Sequence, residues 1–411
     1  MAISHDLDLL AEYHSGPENK KMKSAANSNP VGRRWQGLFS ILSLILAVFI
    51  AAAAHPAFAQ TERVLHSFNG SDGSLPGPRL TLDGAGNLYG TTVGNAGYIG
   101  SAFKLTPTGQ LKVLYKFTDT SRLFTTGKLV LDSKGNLYGV DQTGGTSGNG
   151  SIFKLTPAGV FTVLYSFTGQ PDGAFPNGVI SDAEGNLYGT TNFGGAFNAG
   201  TVFKFTPGGS ETVVYSFTGG SDGDEPFDAA LYRDGQGNLF GTTMFGGGFI
   251  SNGVVFEVTP EGVETVLHTF LGGSDGARPK GSLIADAEGN LYGTTSSGKG
   301  LSGGTVFKIT AGGVKTELHT FSGPDGYDPN AGLAMDSEGN LYGTTFSGGS
   351  SNDGVVFEIS SEDVESVLFD FSGSGGSTPY SGVILDTHGN LDGTTGFGGV
   401  DNLGAVFRVT P

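Results

Sequence analysis

An all-β fold, a seven-bladed β-propeller with four antiparallel strands per blade, is predicted by three observations. Gly-Asn-Leu recurs seven times between Gly86 and Thr395, usually continuing Tyr-Gly-Thr-Thr, at a spacing of 49 to 52 residues; such a period marks repeated supersecondary units, and kelch-type blades have a similar one. Each period contains four short runs in which apolar and polar residues alternate, as in half-buried strands. The array opens on a strand of the kind that elsewhere ends a repeat and stops one strand short of a full last repeat. Its two ends complete each other, which closes a ring and hides the edges of an open array.

The copy from Gly281 to Phe321 serves to justify each element in order. Ser282-Leu-Ile-Ala285 is the innermost strand, a; Asp286-Ala-Glu-Gly289 is a tight turn; Asn290-Leu-Tyr-Gly-Thr-Thr295 is strand b. A glycine-rich loop leads to Gly304-Thr-Val-Phe-Lys-Ile-Thr310, strand c, and a second glycine turn to Val314-Lys-Thr-Glu-Leu-His-Thr-Phe321, strand d. The first strand of the array, Val64-Leu-His-Ser-Phe68, is of type d, and the last, Val406-Phe-Arg-Val-Thr410, is of type c. The last blade is therefore expected to take its d strand from the N-terminal end of the array. A linear solenoid would instead carry polar capping repeats at both ends.

Composition agrees. Glycine, 72 of 411 residues, is far above the usual share of about 7%, while 37% apolar residues and 30 phenylalanines are too many for a disordered glycine-rich tract. There is no cysteine, so stability has to come from packing. The formal charge is −17, with no basic patch or stripe, which argues against nucleic acid as a partner.

Residues 1–59 differ in kind. Lys20, Lys21, Lys23, Arg33 and Arg34 precede an apolar run from Leu38 to Ala54, followed by Ala57-Phe58-Ala59, the layout of a secretory signal with small residues at its cleavage site. The expectation is export with a mature chain starting at Gln60, a domain of residues 60–411, and no stable membrane insertion once the signal is removed. Met22 would open a signal of ordinary length, and the Arg33-Arg34 pair points to twin-arginine export as an alternative to the general route. The mature part keeps 17 basic and 35 acidic groups, a surface suited to solubility outside the cell.

Most repeated residues are assigned structural work. The Asp of each a–b turn, at 83, 132, 182, 234, 286, 336 and 386, sits three residues before a Gly, so its carboxylate can accept local N–H bonds. Phenylalanines on strand c, Phe103 through Phe407, and at the end of strand d, Phe68 through Phe371, are expected to pack blade against blade. Gly90 and its equivalents on strand b are read as points of close approach between blades.

Copies such as Gly185-Asn-Leu-Tyr-Gly-Thr-Thr191, Gly200-Thr-Val-Phe-Lys-Phe-Thr-Pro207 and Val213-Val-Tyr-Ser-Phe217 resemble the Gloeo-Verruco (GloVer) tandem repeat of bacterial exported proteins, often of the choice-of-anchor type. The resemblance covers residues 62–411. It implies a propeller-like array at the cell surface or outside the cell and brings no catalytic residues with it. Family members often continue into an anchoring segment; this chain ends at Pro411, which points to release. Two copies depart from the motif, with Val140 in place of Thr and Asp392 in place of Tyr.

In a propeller the d–a and b–c connections share one face. Here they are the long and variable ones, where a rigid scaffold presents adaptable loops. Phe193, Phe245 and Phe397 recur at one position of the b–c loops. With Asn192, Asn198 and Asn252 they form the candidate platform for a sugar or peptide, apolar ring faces flanked by amides; the competing reading has each ring sealing its own blade end. Five d–a loops carry Asp-Gly at Asp72, Asp172, Asp222, Asp275 and Asp325. These are turn residues first and weak calcium candidates second.

Catalysis needs unlike groups converging at one place, and sevenfold sameness works against it. Strand-a positions offer scattered Arg79, Lys128, Asp228, Arg233 and Lys280. His66, His268 and His319 occupy a strand-d position that is Tyr115, Tyr165 and Tyr215 elsewhere, and lie on blades too far apart to share zinc. The sequence reading is therefore a secreted, monomeric, non-catalytic scaffold for an extracellular glycan or protein, without cofactor or catalytic residue. The alternative is an extracellular carbohydrate-active enzyme, a glycoside hydrolase or lyase.

Overall fold

The computed structural model describes residues 61–94, 100–117, 127–227, 230–249, 251–298 and 303–411. The leader, the cleavage site and Asp228 lie outside the described residues, and the chain divides after Ala57. Seven four-stranded antiparallel sheets make up the second unit. Blades 1 to 6 span residues 81–116, 130–166, 174–216, 232–269, 284–320 and 334–370, each hydrogen-bonded in the order a-b-c-d. Blade 7 joins Ile384–Leu385, Leu391–Thr395 and Ala405–Thr410 to Thr61–Ser67. Thr61 pairs with Thr410 and Ser67 with Ala405, so the predicted closure is present. Among the described residues the one helical turn is Gly273–Asp275, and no helix is long and apolar enough to cross a membrane.

The core is seven clusters, one between each pair of neighbouring blades, including blade 7 against blade 1. At the centre of each, the phenylalanine ending strand d of one blade meets the strand-c phenylalanine of the next: Phe68 with Phe103, Phe117 with Phe153, Phe167 with Phe203, Phe217 with Phe256, Phe270 with Phe307, Phe321 with Phe357, and Phe371 with Phe407. All seven are edge-to-face, with centroids 4.9 to 6.3 Å apart. That geometry sets a ring's positive edge against its partner's negative face and contributes about 0.5–1.5 kcal/mol per pair beyond area burial.

The strand-b glycine has a different role from the one expected. A Cβ on Gly293 would lie 2.7 Å from Cζ of Phe307 and 2.8 Å from Cδ2 of Leu283, both in its own blade. Gly293 and Phe307 are register partners on strands b and c, so the ring lies flat over the glycine. The close approach is within the blade, and it turns the phenylalanine toward the neighbouring blade. Strand-b hydroxyls add a second tie, for example Thr294 Oγ1 to the carbonyl of Ala331 at 3.0 Å and Thr394 Oγ1 to that of Gly77 at 3.1 Å. Val140, one of the two departures from the motif, gives up this bond and joins the apolar cluster between blades 2 and 3.

Gly293→Ala should destabilise the chain by about 1–3 kcal/mol through overpacking, and Phe307→Ala by about 3–5 kcal/mol through a cavity. Urea unfolding checks both. A glycine substitution that is neutral would mean the ring does not rest where it is described.

Candidate functional site

The face built from a–b turns is chemically saturated. Asp83 accepts from the N–H groups of Ala85 at 2.9 Å and Asn87 at 2.8 Å, from the Asn87 amide, and from the Tyr89 hydroxyl at 3.1 Å. Burial works against the charge, but these bonds hold Asp83 below the usual carboxylate range, and the same holds for Asp132, Asp182, Asp286 and Asp336. In blade 7, Asp392 stands in the tyrosine position and takes both arms of Arg408 at 2.7 Å, while Arg408 reaches Asp386 at 3.2 Å. A groove of about 580 Å³ between blades 2 and 3 opens on this face. Asp132 and Asp182 in its wall already carry full sets of local bonds, so the groove lacks free polar groups of that kind.

On the opposite face the d–a aspartates act as clasps on their own blades. Asp222 accepts from the Tyr215 hydroxyl at 2.9 Å and from the N–H of Thr218 at 2.7 Å. Asp172 does the same with Tyr165 and Thr168, while Asp72, Asp275 and Asp325 take His66, His268 and His319 in the tyrosine's place. The alternation of His and Tyr on strand d is thus one hydrogen-bond donor replacing another. The glycine after the Asp is required by packing: Gly223, at φ +113°, faces Thr243, whose Cγ2 would be 2.6 Å from an added Cβ. The five carboxylates sit on five blades and do not converge. Toward three of them points the first residue of strand d in the following blade, Glu211, Glu264 and Glu365, each with a buried carboxylate oxygen that has no hydrogen-bond partner.

Phe193, Phe245 and Phe397 lie in blades 3, 4 and 7, and the structure does not bring the three together. Each is paired through its backbone to the entry of its own blade, Phe193 with Ala174 at the start of strand a and Phe245 and Phe397 with Asp224 and Ser377 of their d–a loops. The Phe193 ring packs edge-on against Phe175 at 5.9 Å, and the Arg278 guanidinium lies 5.7 Å from the centre of Phe245. Phe397 is exposed. Asn192 is buried and accepts from the Asn177 amide at 2.7 Å. Asn198, at φ +61°, accepts from the N–H of Gly194 at 3.2 Å, as Asn352 and Asn402 do in their loops. Asn252 packs its amide against Gly272 and receives Arg278 N–H on its carbonyl. The open rings on these loops are Phe197 and Phe249, four residues further on.

The convergence of unlike groups is at the centre. A channel cavity of about 220 Å³ is lined by Arg79, Lys128 and the apolar ends of the a strands. The residue before the buried aliphatic of strand a is Arg79 and Lys128 in blades 1 and 2, but Gly178, Ala230, Ser282, Gly332 and Gly382 in the others. Two long cations therefore occupy a lumen that five small residues leave open. Water reaches Lys128, yet the channel walls surround it; that enclosure first, and the neighbouring Arg79 charge second, lower its pKa. Above lies a mouth of about 200 Å³ formed by Pro78, Arg79, Phe227, Lys280, Asn330 and Tyr380. Asp328 faces Lys280 and Asn330 from the same loop layer, and burial raises its pKa despite Lys280. Arg233, by contrast, lies 5.5 Å from the Tyr188 ring centre and outside the channel lining. Arg79, Lys128 and Lys280 are thus the strand-a cations named from the sequence that the structure brings to the channel and its mouth, and reading one position down the seven repeats is what separates Arg79 and Lys128 from Arg233.

The Gloeobacter/Verrucomicrobia repeat matches residues 55–249 and again 226–411. Among solved structures, the extracellular domain of BT4673 from B. thetaiotaomicron superposes with a TM-score of 0.53 at 12% identity, over 84% of this chain and 39% of that one. This chain thus spans well under two thirds of that protein, and the likeness is one of fold. A gluconolactonase, XC5397 from Xanthomonas campestris, aligns with a TM-score of 0.45 at 16% identity over 82% of this chain and 96% of its own. No curated protein matches.

The glutamates at the blade interfaces make stability depend on pH. Burial first, then the carboxylate of Asp172 or Asp222 opposite, pushes Glu211 and Glu264 up to about 7 from an ordinary 4.5. Each binds its proton more tightly in the folded state, so the stabilisation is present at and below the ordinary value and is lost as pH rises through about 7. The Tm should fall between about pH 5 and pH 8, and Glu211→Gln with Glu264→Gln should flatten the fall. A Tm that rises over this interval, or the same fall in the double variant, would contradict the assignment.

Proposed function

The chain belongs to the Gloeobacter/Verrucomicrobia repeat family, and on that footing we propose an exported, non-catalytic binding scaffold whose channel mouth takes a carboxylate-bearing sugar of an extracellular glycan. The observation that carries this reading is the gathering of Arg79, Lys128 and Lys280 at the centre of a chain with a formal charge of −17. Cations inside low-dielectric walls focus their field on the opening and attract a compact anion against the repulsion of the surrounding surface. Asn330 adds an amide, and Tyr380 and Phe227 add ring faces, the combination of polar handles and apolar surface on which a sugar ring is held. Exposed Phe197, Phe249 and Phe397 extend the contact surface on the same face. The signal-type leader and the acidic mature surface fit a place outside the cell.

One observation favours a second reading, a lyase acting on the same class of glycan. Enclosure and Arg79 lower the Lys128 pKa, the usual means of making a lysine a base, and a neighbouring cation would neutralise the uronate carboxylate as the proton leaves. Among the described residues, the channel and mouth linings hold no facing pair of carboxylates of the kind glycoside hydrolysis uses.

Titration calorimetry with glucuronate and galacturonate oligosaccharides against their neutral counterparts tests the proposal. The acidic sugars should bind, with affinity falling as salt rises, and Lys280→Ala or Arg79→Ala should weaken binding at least tenfold. Equal binding of neutral sugars, or variants that bind as the parent does, would refute it. Release of unsaturated uronate during the titration would favour the lyase.

A further inference from the structure

At the outer edge of the interface between blades 5 and 6, His319, Asp325 and Glu365 bring one imidazole nitrogen and two carboxylate oxygens within 4.8 Å of one another. His319 Nε2 is 2.9 Å from Asp325 Oδ2. The other Asp325 oxygen is engaged by the Ser322 N–H at 2.9 Å and hydroxyl at 3.0 Å, which fixes the carboxylate. The His319 ring is held edge-on to Phe321 at 4.7 Å. Glu365 opens strand d of blade 6, paired in register with Ile359, and its Oε1 is buried without a hydrogen-bond partner.

The neighbouring interface shows what such a place accepts. Lys315, which opens strand d of blade 5 as Glu365 opens that of blade 6, puts its ammonium 2.9 Å from Asp275 Oδ1 and 2.8 Å from the Asp275 carbonyl, beside His268. Between blades 4 and 5 the chain thus supplies its own cation to the His–Asp pair. Between blades 5 and 6 the same position is a carboxylate, so the site has one more anionic donor and no built-in cation. The interfaces closed by Glu211 and Glu264 have Tyr165 and Tyr215 in place of the histidine; among the described residues only the interface between blades 5 and 6 combines histidine with two acids.

We propose that His319, Asp325 and Glu365 bind a divalent transition metal of the zinc class, which clamps blade 5 to blade 6. An imidazole with two carboxylates selects such an ion over calcium, which prefers oxygen alone. Ligand atoms about 2.0–2.2 Å from a tetrahedral metal lie about 3.4 Å apart, so the widest separation, no more than 4.8 Å, has to close by at most about 1.4 Å, within reach of a glutamate rotamer. The fourth position is left to water. In a chain without cysteine, the ion does the work of a cross-link between two consecutive repeats. This site lies at the outer rim and is independent of the channel proposal.

The test is zinc calorimetry and melting on the purified chain stripped with chelator, with cobalt(II) absorption as the reporter of imidazole ligation. Two variants copy arrangements the protein already folds with: Glu365→Lys reproduces the Lys315 interface, and His319→Tyr reproduces that of Tyr215 with Glu264. The parent should take up one zinc at this site and melt higher with it; Glu365→Lys should lose that uptake while melting no lower than the metal-free parent; His319→Tyr should bind at least tenfold more weakly and change the cobalt spectrum. Absence of uptake by the parent, uptake unchanged in both variants, or binding of calcium but not zinc would each overturn the assignment.

Discussion

The contact on which the molecule depends is a phenylalanine laid over a glycine. With no side chain on strand b, the strand-c ring lies against its own sheet and presents itself to the phenylalanine that ends strand d of the preceding blade. One small-residue requirement and two aromatic ones, set at fixed places in a repeat of about 50 residues, therefore define both the inside of a blade and its junction with the next. Because the contact is directional, each blade has an unlike front and back, and a row of such blades remains unsatisfied at both ends until it closes. Phe68 against Phe103 is the junction that closure supplies, and the strand Thr61–Ser67 carries Phe68 into place.

A scaffold so uniform confines chemical individuality to positions its repeat does not use. Three such positions stand out. The residue before the strand-a aliphatic brings Arg79 and Lys128 into the channel; the tips of the b–c loops carry Phe197 and Phe249; and the first residue of strand d decides whether an interface meets its neighbour's aspartate with Lys315 or with a glutamate. The channel and the outer interface follow one rule. Where a repeated carboxylate is already fully bonded, as at the a–b turns, it is structural; where some repeats place a charged side chain that others lack, as Lys128 in the channel or Glu365 at the outer interface, it has capacity for something that is not the protein.

The fold was legible because its determinants are periodic. Strand order, blade number and closure all follow from seven copies of one pattern and from the incomplete copies at its two ends, and the observed strands of blade 5 are one or two residues shorter than the expected ones at one end or both, as with Ile284–Ala285 and Thr305–Ile309. The site was less legible, since its residues are related across repeats rather than along them. Scanning the b–c loops along the chain finds Phe193 and Phe245, which the fold ties to the entries of their own blades, and passes over Phe197 and Phe249. The histidines looked interchangeable with tyrosine, as hydrogen-bond donors to aspartate they are, and only the three-dimensional neighbour Glu365, 46 residues beyond His319 in the chain, distinguishes one of them. Gly90 and its equivalents carried a correct signal of close approach, but which neighbour is approached is a matter of side-chain direction that spacing does not encode.

The measurement that bears most directly on the account is hydrogen exchange of the amides in Thr61–Ser67. Paired with Ala405–Thr410 in a closed ring, those facing the ladder should exchange on the same slow timescale as the amides of Val406–Val409, and both groups should be released together when the whole ring unfolds. Rapid exchange of Thr61–Ser67 while the six complete blades stay protected would contradict a ring shut by its own N-terminal strand.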